Sequence, residues 1–345
     1  MGVTDWIGDS PHAQVRAIDE PEELIVQRSS LKVVVGADVS EATLDVAVSV
    51  PCKIKRVANT AAGVAKLVAV LKDIGAELIV LEATGGYERV LVDALHQAGL
   101  PVHVANPRRV RAFAIAAGIL SKTDKIDAKT LILYGEAIDV EPTPAPDPSA
   151  REIAELQKRH RQLVENNVSE KNRLKTAPHH LQDGIKRHIA WLDQEIAQIE
   201  QRIKLMIKGD TKLSAKAKLV MSVPGVGVAT SAALIGHFPE LGQISNKQAA
   251  ALAGLAPYAD DSGKKTGKRS IRYGRSHVRC ALYMATLCAI RIAGPFRFSY
   301  QRLLGLGKPK KVAIVACMRK LITTLNSLMR TGQTWSPTAA EALPA

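Results

Sequence analysis

Short apolar runs and helix-spaced apolar positions alternate along the first 140 residues of the chain. The short runs predict buried strands, and apolar residues at every third or fourth position predict helices. The strands are predicted at 32–39, 44–50, 53–57, 77–82 and 101–105, and the helices after Thr60, near 89–98 and after Pro107. The order is therefore three strands in a meander, followed by helix, strand, helix, strand and helix.

This order is the one expected of a ribonuclease-H-like sheet with α-helices on its faces. Parallel strands in such a sheet are buried on both sides, which explains their nearly continuous apolar character. We therefore predict an α/β domain of this class over residues 31–141, preceded by a flexible leader over residues 1–30.

Helical patterns dominate the rest of the chain. Prolines at every second position from 142 to 148 predict a stiff linker over residues 142–150. Two seams of 3-4 spacing, starting at Ile153 and at Ile185 and separated by the helix breaker Pro178, predict a coiled-coil helical segment over residues 151–210. Either an antiparallel hairpin or a coil between subunits satisfies the second seam. We favour self-association, since identical chains are common coil partners.

The last part of the chain is predicted to be a mainly α domain over residues 211–335, with a disordered tail over residues 336–345. Pro224, Gly225, Val226 and Gly227 connect two short predicted helices, and this pattern resembles a helix-hairpin-helix. In that motif the glycines let backbone N–H groups approach a phosphate at a helix N-terminus. The alternative is an ordinary tight connection between helices.

The distribution of charge along the chain indicates which kind of partner it binds. The chain has a net charge of +14, but residues 1–150 carry 15 basic and 20 acidic side chains, whereas residues 151–345 carry 32 basic and 13 acidic ones. A strongly basic second half indicates a polyanionic partner. Only 13 of the 345 residues are aromatic, which argues against a single-strand binder built on stacking platforms.

Composition excludes several other classes. A hydrophobic content of 46% argues against wholesale disorder. The sequence shows neither an apolar run near the ~18 residues of a membrane span nor a signal-peptide core, so we predict no membrane association. The four cysteines lack CxxC spacing, which indicates neither a disulfide framework nor a zinc site. A reducing, cytoplasmic setting fits best.

Four acidic side chains stand out against the apolar background of the first domain. Asp38 and Glu82 end predicted strands, and Asp124 and Asp127 open a predicted helix at i and i+3, which places them on one face. Carboxylates gathered at strand ends repel one another unless a cation neutralises them. Hard oxygen ligands select Mg²⁺ or Mn²⁺, and two such ions clamp a phosphodiester for in-line displacement.

Each of these acids taken alone is more often an ordinary loop or helix-end residue. Two rival acids occur in the same domain, and we interpret Asp45 as a solvent-facing strand residue and Glu88 as an acid in the first turn of a helix. The order Asp, Glu, Asp-x-x-Asp on this strand pattern raises the four candidates above that background.

A glycine-rich basic loop follows in the second half of the chain. Arg272, Arg275 and Arg279 have 3-4 spacing, which predicts one phosphate-binding face of a helix. The full set of candidate phosphate-binding side chains is Lys264, Lys265, Lys268, Arg269, Arg272, Arg275 and Arg279. The Ser262 hydroxyl is a possible nucleophile, although chemistry alone favours a turn residue and makes Ser270, Ser276 and Ser299 equally eligible.

Together these segments resemble the DEDD insertion-sequence transposases of the IS-one-ten type. The resemblance covers about residues 31–330 and is carried by residues 37–40, 81–85, 106–107, 122–128, 224–227 and 254–279. Members of that family are recombinases with a RuvC-like domain and a C-terminal transposase domain. They move their own element, guided by a structured bridge RNA from the element's end.

The resemblance implies roles for individual residues. Asp38, Glu82, Asp124 and Asp127 fall on the family's metal-binding positions, and Ser262 falls on its nucleophilic serine. It also implies a tetramer, a dimer of dimers, with composite sites in which the metal domain of one subunit meets the serine domain of another. The chain departs from the pattern immediately before the serine, where two acids stand at positions that are commonly uncharged in relatives.

The sequence thus predicts a Mg²⁺-dependent DNA recombinase, with Mn²⁺ as a possible substitute, that acts through a transient phosphoserine link. Its expected partners are double-stranded DNA at element ends and target, a guide RNA and further copies of itself. We expect it in the bacterial cytoplasm, associated with the nucleoid. The alternatives are a RuvC-like junction-resolving nuclease without a covalent intermediate and a non-catalytic DNA-binding scaffold.

Overall fold

The computed structural model describes residues 32–49, 53–121, 123–263 and 266–336. The chain divides into two compact units, Met1–Ala145 and Pro146–Ala345, and the division falls in the predicted proline-rich linker. The predicted leader lies outside the described residues, as do Lys264, Lys265 and all of the predicted tail except Ser336.

The first unit is built on a five-stranded mixed sheet. Its elements are β1 (Val34–Val39), β2 (Thr43–Val48), β3 (Lys53–Ala58), α1 (Ala61–Asp73), β4 (Leu78–Glu82), α2 (Arg89–Gln97), β5 (Val102–Ala105), α3 (Pro107–Ala116) and α4 (Asp124–Ile138). The strand order is β3-β2-β1-β4-β5. The first three strands pair antiparallel, and β4 and β5 continue the sheet in parallel with β1. This is the ribonuclease-H-like arrangement that the sequence predicts.

Each face of the sheet supports its own core. On one face Val35, Leu44 and Ile79 pack with buried leucines of α1 and α2. On the other face Val34 and Val80 pack with residues of α3 and α4. Side chains alternate between the faces along each strand, so residue parity decides which helices a strand residue meets.

A glycine in β1 sets the position of α4. A Cβ atom built at Gly36 would lie 2.0 Å from the carbonyl oxygen of Ala128 and 3.1 Å from the backbone nitrogen of Ile132. Such a distance is far inside van der Waals contact, so only glycine allows α4 to lie this close to the strand. The first turn of α4 is thereby brought onto the sheet near the end of β1.

The second unit is mainly helical, as the sequence predicts. Its elements are α5 (Pro148–Thr176), α6 (His179–Gly209), α7 (Thr211–Met221), α8 (Val228–His237), α9 (Asn246–Leu252), β6 (Pro257–Tyr258), β7 (Ser270–Ile271), α10 (Ser276–Ala289), α11 (Pro295–Gly305) and α12 (Lys310–Thr331). The two short strands form an antiparallel ribbon.

The two long helices form an antiparallel hairpin within the chain. The apolar seam of α6 faces α5, and polar members of the α5 seam find partners across it. Buried Asn167 donates to Asp193 at 2.6 Å, and His160 contacts Glu200 at 3.0 Å. The structure therefore has the antiparallel hairpin within the chain, one of the two arrangements that satisfy the seam, and the self-association that we favoured stays a prediction.

The last helix, α12, is the one described helix that is long and apolar enough to cross a membrane by length and composition alone. The search for apolar runs in the sequence did not predict it. Leu321, Ile322 and Leu325 of this helix are fully buried in the core of the second unit. Packing in that core accounts for its apolar composition.

We predict that Gly36→Ala lowers the free energy of unfolding of the protein by about 1–3 kcal/mol, because the added methyl group must displace the backbone of α4. Urea or thermal unfolding measures this change. Gly209→Ala is the matched control, since a Cβ atom there meets nothing within 4 Å. Equal stability of both variants would contradict the close approach.

Candidate active site

The sheet register places charged side chains in one row across the first unit. Arg56 of β3 pairs with Asp45 of β2, and Asp45 pairs with Asp38 of β1. Ala37 and Leu81 are the last residues that pair between β1 and β4. Asp38 and Glu82 directly follow them along their strands. Neighbouring strands lie about 4.8 Å apart, so these two predicted metal ligands are neighbours at the same end of the sheet.

All four charged residues of this row belong to the α4 face of the sheet. They alternate with Ala37, Leu44 and Leu81, which belong to the opposite core. Asp124 and Asp127 lie in the first turn of α4, where the Thr123 side chain caps the helix by accepting from the backbone N–H of Ile126. The fold therefore brings the four predicted acids to one end of one sheet face.

One ion-pair network joins the helix to the row. The Nε atom of Arg56 donates to both carboxylate oxygens of Asp45 at 3.0 and 3.1 Å. Its Nη2 atom lies 2.9 Å from Oδ2 of Asp45 and 2.9 Å from Oδ2 of Asp124. Two acids from different elements thus share a single guanidinium.

The interpretation of Asp45 as solvent-facing is wrong. The residue is only 4% exposed, because it points to the α4 face and not to the water. Arg56, which the sequence analysis missed, compensates its charge. A strand pattern alone gives no signal for this pair, since the pairing depends on the register between β2 and β3.

The second rival acid, Glu88, orders the loop that follows β4. It lies at the N-cap of α2, immediately before the first turn in which the sequence placed it. Its carboxylate accepts from the backbone N–H groups of Thr84 and Gly86 and from the Thr84 hydroxyl. Burial raises the pKa of Glu88, but hydrogen bonds from its own backbone N–H, from Gly86 and from Thr84 outweigh this effect and hold the pKa below its ordinary value.

The carboxylates have the chemistry of a site for a hard divalent cation, but they do not form a closed cage. Within the ranges that the structure describes, no three His, Cys, Asp or Glu side chains are gathered closely enough to hold a metal ion. Asp38 and Glu82 are adjacent, whereas the Asp124 carboxylate is bound by Arg56. Oxygen donors on one sheet end suit Mg²⁺ or Mn²⁺, and closing such a site requires Asp124 to leave Arg56.

In the second unit the two glycines of the α7–α8 connection differ in their surroundings. A Cβ atom at Gly225, which has a φ of +87°, would lie 2.5 Å from the carbonyl oxygen of Ala285 in α10. This glycine therefore permits helix packing, not the approach of a phosphate. Gly227 is exposed at the N-cap of α8, with open space around it.

The predicted helical face of three arginines does not exist, because α10 begins only at Ser276. Arg272 follows β7, and Arg279 donates to the carbonyl oxygen of Tyr273. Arg275 forms a bidentate pair with Glu240 at 2.6 Å for each contact, and its guanidinium lies over the Phe238 ring. The left-handed backbone of Tyr273 and Gly274 ends the pattern that mimics a helix.

The loop that carries Ser262 neutralises its own acids. Asp261 pairs with Arg269 at 2.9 Å, and Asp260 lies 3.3 Å from Arg272. Ser262 is exposed between them and the following glycine, which has a φ of +53°. The two acids before the serine are therefore matched by two cations within the same loop and ribbon.

Comparison with known proteins finds family matches in both units of the chain. Residues 35–182 match a family model of DEDD transposases of the IS110 type, described as "Transposase", and residues 217–301 match the "Transposase IS116/IS110/IS902 family". The pilin gene-inverting proteins of Moraxella lacunata and Moraxella bovis are each 32% identical over 261 residues, covering 73% of this chain and 80% of the relative. The chain belongs to the IS110 transposase family.

Two further likenesses cover smaller parts of this IS110-family transposase. The insertion element IS116 uncharacterized 44.8 kDa protein of Streptomyces clavuligerus is 29% identical over 149 residues, which is 42% of this chain and 36% of that protein. RuvC of T. thermophilus, solved in complex with a Holliday junction substrate, aligns with 32% of this chain and 99% of its own at 17% identity and a TM-score of 0.26.

The C-terminal family match of the transposase also contains a pair of stacked histidines. The rings of His237 and His277 lie 4.6 Å apart, and the Arg161 guanidinium lies 3.3 Å from Nδ1 of His277. Burial, followed by His277, Arg275 and Arg161, lowers the pKa of His237 to about 4. Burial, followed by Arg161 and Lys158, also lowers the pKa of His277, against which Glu165 acts weakly.

These shifts predict acid sensitivity of the transposase. The pKa of each histidine in the unfolded chain is about 6.5, so protonation favours unfolding wherever the folded pKa is lower. The stability contribution is complete above about pH 6.5 and is lost as the pH falls toward 4. We expect the thermal unfolding midpoint to fall by several degrees over this interval.

The variant His237→Phe tests this assignment, because it keeps the ring stack and Nε2 of His237 has no hydrogen-bond partner to lose. Its unfolding midpoint is expected to depend less on pH between 6.5 and 4 than that of the unmodified protein. His180→Phe, at an exposed position of α6, is the control. An unchanged pH dependence of His237→Phe would refute the assignment.

Proposed function

We propose that this IS110-family protein is a divalent-metal-dependent DNA recombinase that cleaves and exchanges strands of double-stranded DNA. The observation that carries the proposal is the placement of Asp38 and Glu82 at the ends of adjacent strands, on the sheet face that packs against α4, whose first turn bears Asp124 and Asp127. The Moraxella relatives are named for the inversion of a pilin gene, which fits the same class of reaction.

The four acids are proposed to hold the catalytic metal. When bound, Mg²⁺, or Mn²⁺ in its place, polarises the scissile phosphate and neutralises its developing charge. The strand ends fix Asp38 and Glu82, while the helix turn supplies Asp124 and Asp127 from above. Rigid elements on both sides suit a site that must orient a phosphodiester.

Ser262 is proposed as the nucleophile. Its Oγ atom would bond to the phosphorus while the bond from phosphorus to the 3′ oxygen breaks, and the serine proton would pass to that leaving oxygen. The free 3′ hydroxyl of another strand then attacks the phosphoserine and releases the serine. The pairing of Asp260 and Asp261 with Arg272 and Arg269 supports this role, because it reduces repulsion of the incoming phosphate.

The partners proposed for the second unit follow from its charge of +19 over residues 151–345. Exposed Lys268, Arg269 and Arg272, together with the sequence neighbours Lys264 and Lys265, are proposed to bind phosphates of element-end DNA, target DNA and a guide RNA. Gly227 at the α8 N-terminus remains a candidate backbone contact. Arg275 forms a bidentate pair with Glu240 and is proposed to stabilise the unit instead of binding phosphate.

The family resemblance further supports a dimer of dimers with composite sites, in which the acids and the serine of one reaction centre come from different subunits. We place the protein among bacterial cytoplasmic enzymes that associate with the nucleoid.

The metal site is tested with Asp38→Asn. We expect strand cleavage of substrate DNA to fall by on the order of 10²–10³-fold with an unchanged fold, because charge stabilisation of the transition state is lost. Asp139→Asn is the matched control, since Asp139 has a left-handed backbone at the end of α4 that asparagine adopts readily. Full cleavage by Asp38→Asn would refute the proposed metal site, whereas absence of cleavage in the unmodified protein would favour the scaffold alternative.

The nucleophile is tested with Ser262→Ala by trapping protein–DNA adducts that resist detergent. The adduct is expected to disappear in this variant and to persist in Ser270→Ala, a control in the adjoining ribbon strand. Cleavage without any adduct in the unmodified protein would instead identify a nuclease that uses water. An adduct that persists in Ser262→Ala would assign the link to another residue.

A further inference from the structure

The charged network of the first unit contains two contacts of different strength. The Asp45 side chain is 5% exposed and holds Arg56 through both carboxylate oxygens. The Arg56 and Asp124 side chains are 56% and 62% exposed, and they meet through one pair of atoms. Exposed ion pairs are weak, whereas a bidentate arginine pair with a buried carboxylate is well ordered.

The stronger contact therefore anchors Arg56, and the weaker one is free to exchange. A buried carboxylate needs a compensating cation, so Asp45 retains the guanidinium beside it. The carboxylates of Asp45 and then Asp124 raise the pKa of Arg56, which keeps its charge in place. The Asp124 carboxylate, in contrast, lies in a helix turn open to solvent.

The position of Arg56 is also fixed relative to the acids. Asp45 separates it from Asp38 in the register of the sheet, so the guanidinium lies two strands from the first proposed ligand. From this place it binds Asp124 by side-chain contact. The contact occupies one carboxylate oxygen of a proposed metal ligand.

We propose that Arg56, anchored by Asp45, is a positioning residue that holds Asp124 when metal is absent and competes with the metal for that carboxylate. This inference rests on the proposed metal site. It identifies Asp45 and Arg56 as further functional residues beyond the four acids and the serine. Metal entry then requires exchange of one exposed ion pair, while the buried pair stays intact.

The competition is measurable as the dissociation constant of Mn²⁺ for the full-length, chelator-treated protein, determined by titration calorimetry. Arg56→Gln is expected to bind Mn²⁺ about fivefold or more tightly, because a unit charge beside the site and the competing contact are both removed. Lys55→Gln, which removes the same charge from the neighbouring exposed position on the opposite face of β3, is expected to leave the constant unchanged.

Two double variants separate competition from other effects. Asp45→Asn with Arg56→Gln leaves the net charge unchanged and no buried charge unpaired, and it is expected to tighten binding as well. Adding Arg56→Gln to Asp124→Asn is expected to tighten binding less than Arg56→Gln does alone, because the contested carboxylate is absent and only the removed charge still has an effect. A purely structural role for Arg56 would not produce this dependence on Asp124.

The outcomes distinguish the inference from the function on which it rests. Should Asp38→Asn fail to weaken Mn²⁺ binding, the proposed metal site itself is wrong. Should Asp38→Asn weaken binding while Arg56→Gln and the charge-neutral double variant bind no more tightly than the unmodified protein, the site stands and the competition is refuted. The double variant decides the matter if Arg56→Gln alone does not fold.

Discussion

The packing of α4 against β1 is the constraint on which the candidate site depends. Two glycines face the contact from opposite sides: Gly36 on the strand leaves room for the backbone of α4, and Gly135 on the helix leaves room for Val80. Larger residues at either position would push the helix from the sheet. Because the helix lies this close, its first turn brings Asp124 and Asp127 to the end of the sheet where Asp38 and Glu82 lie.

This packing creates an electrostatic problem that the fold answers locally. A row containing Asp45, Asp38 and Glu82, covered by a helix turn with two more acids, concentrates negative charge. Arg56 reduces the repulsion between these acids at the end of the row that is farthest from Glu82. Its single guanidinium pairs with Asp45 on the strand and with Asp124 on the helix.

The sequence predicts the elements of the first unit well because β1 and β4 are nearly continuous apolar runs and clear breaks separate the elements. It also identifies the four acids as candidates, since each lies at an element end where a carboxylate is conspicuous, and their role as metal ligands stays a prediction. It misplaces Asp45 because a lone acid in a short strand is compatible with either face. Which face it takes depends on the register with β3, and register arises from pairing that no local pattern encodes.

The second unit shows the opposite difficulty, in which a local pattern suggests a structure that packing overrides. The 3-4 spacing of Arg272, Arg275 and Arg279 is helical, yet Tyr273 and Gly274 both have positive φ angles and interrupt any helix. Gly225 looks suited to a phosphate but is packed against α10. Spacing identifies residues that are able to share a surface, whereas burial and partners decide which of them remain available to a ligand.

The loop around Ser262 follows the same electrostatic principle as the acid row. In both places a carboxylate that would repel DNA is paired with an arginine close in space, Asp45 with Arg56 and Asp261 with Arg269. Each pair lowers the local negative charge around its carboxylate. The second unit as a whole keeps a basic surface that can bind phosphates. Acids near a phosphodiester are therefore compatible with DNA chemistry when a cation lies close enough to reduce their repulsion of the phosphate.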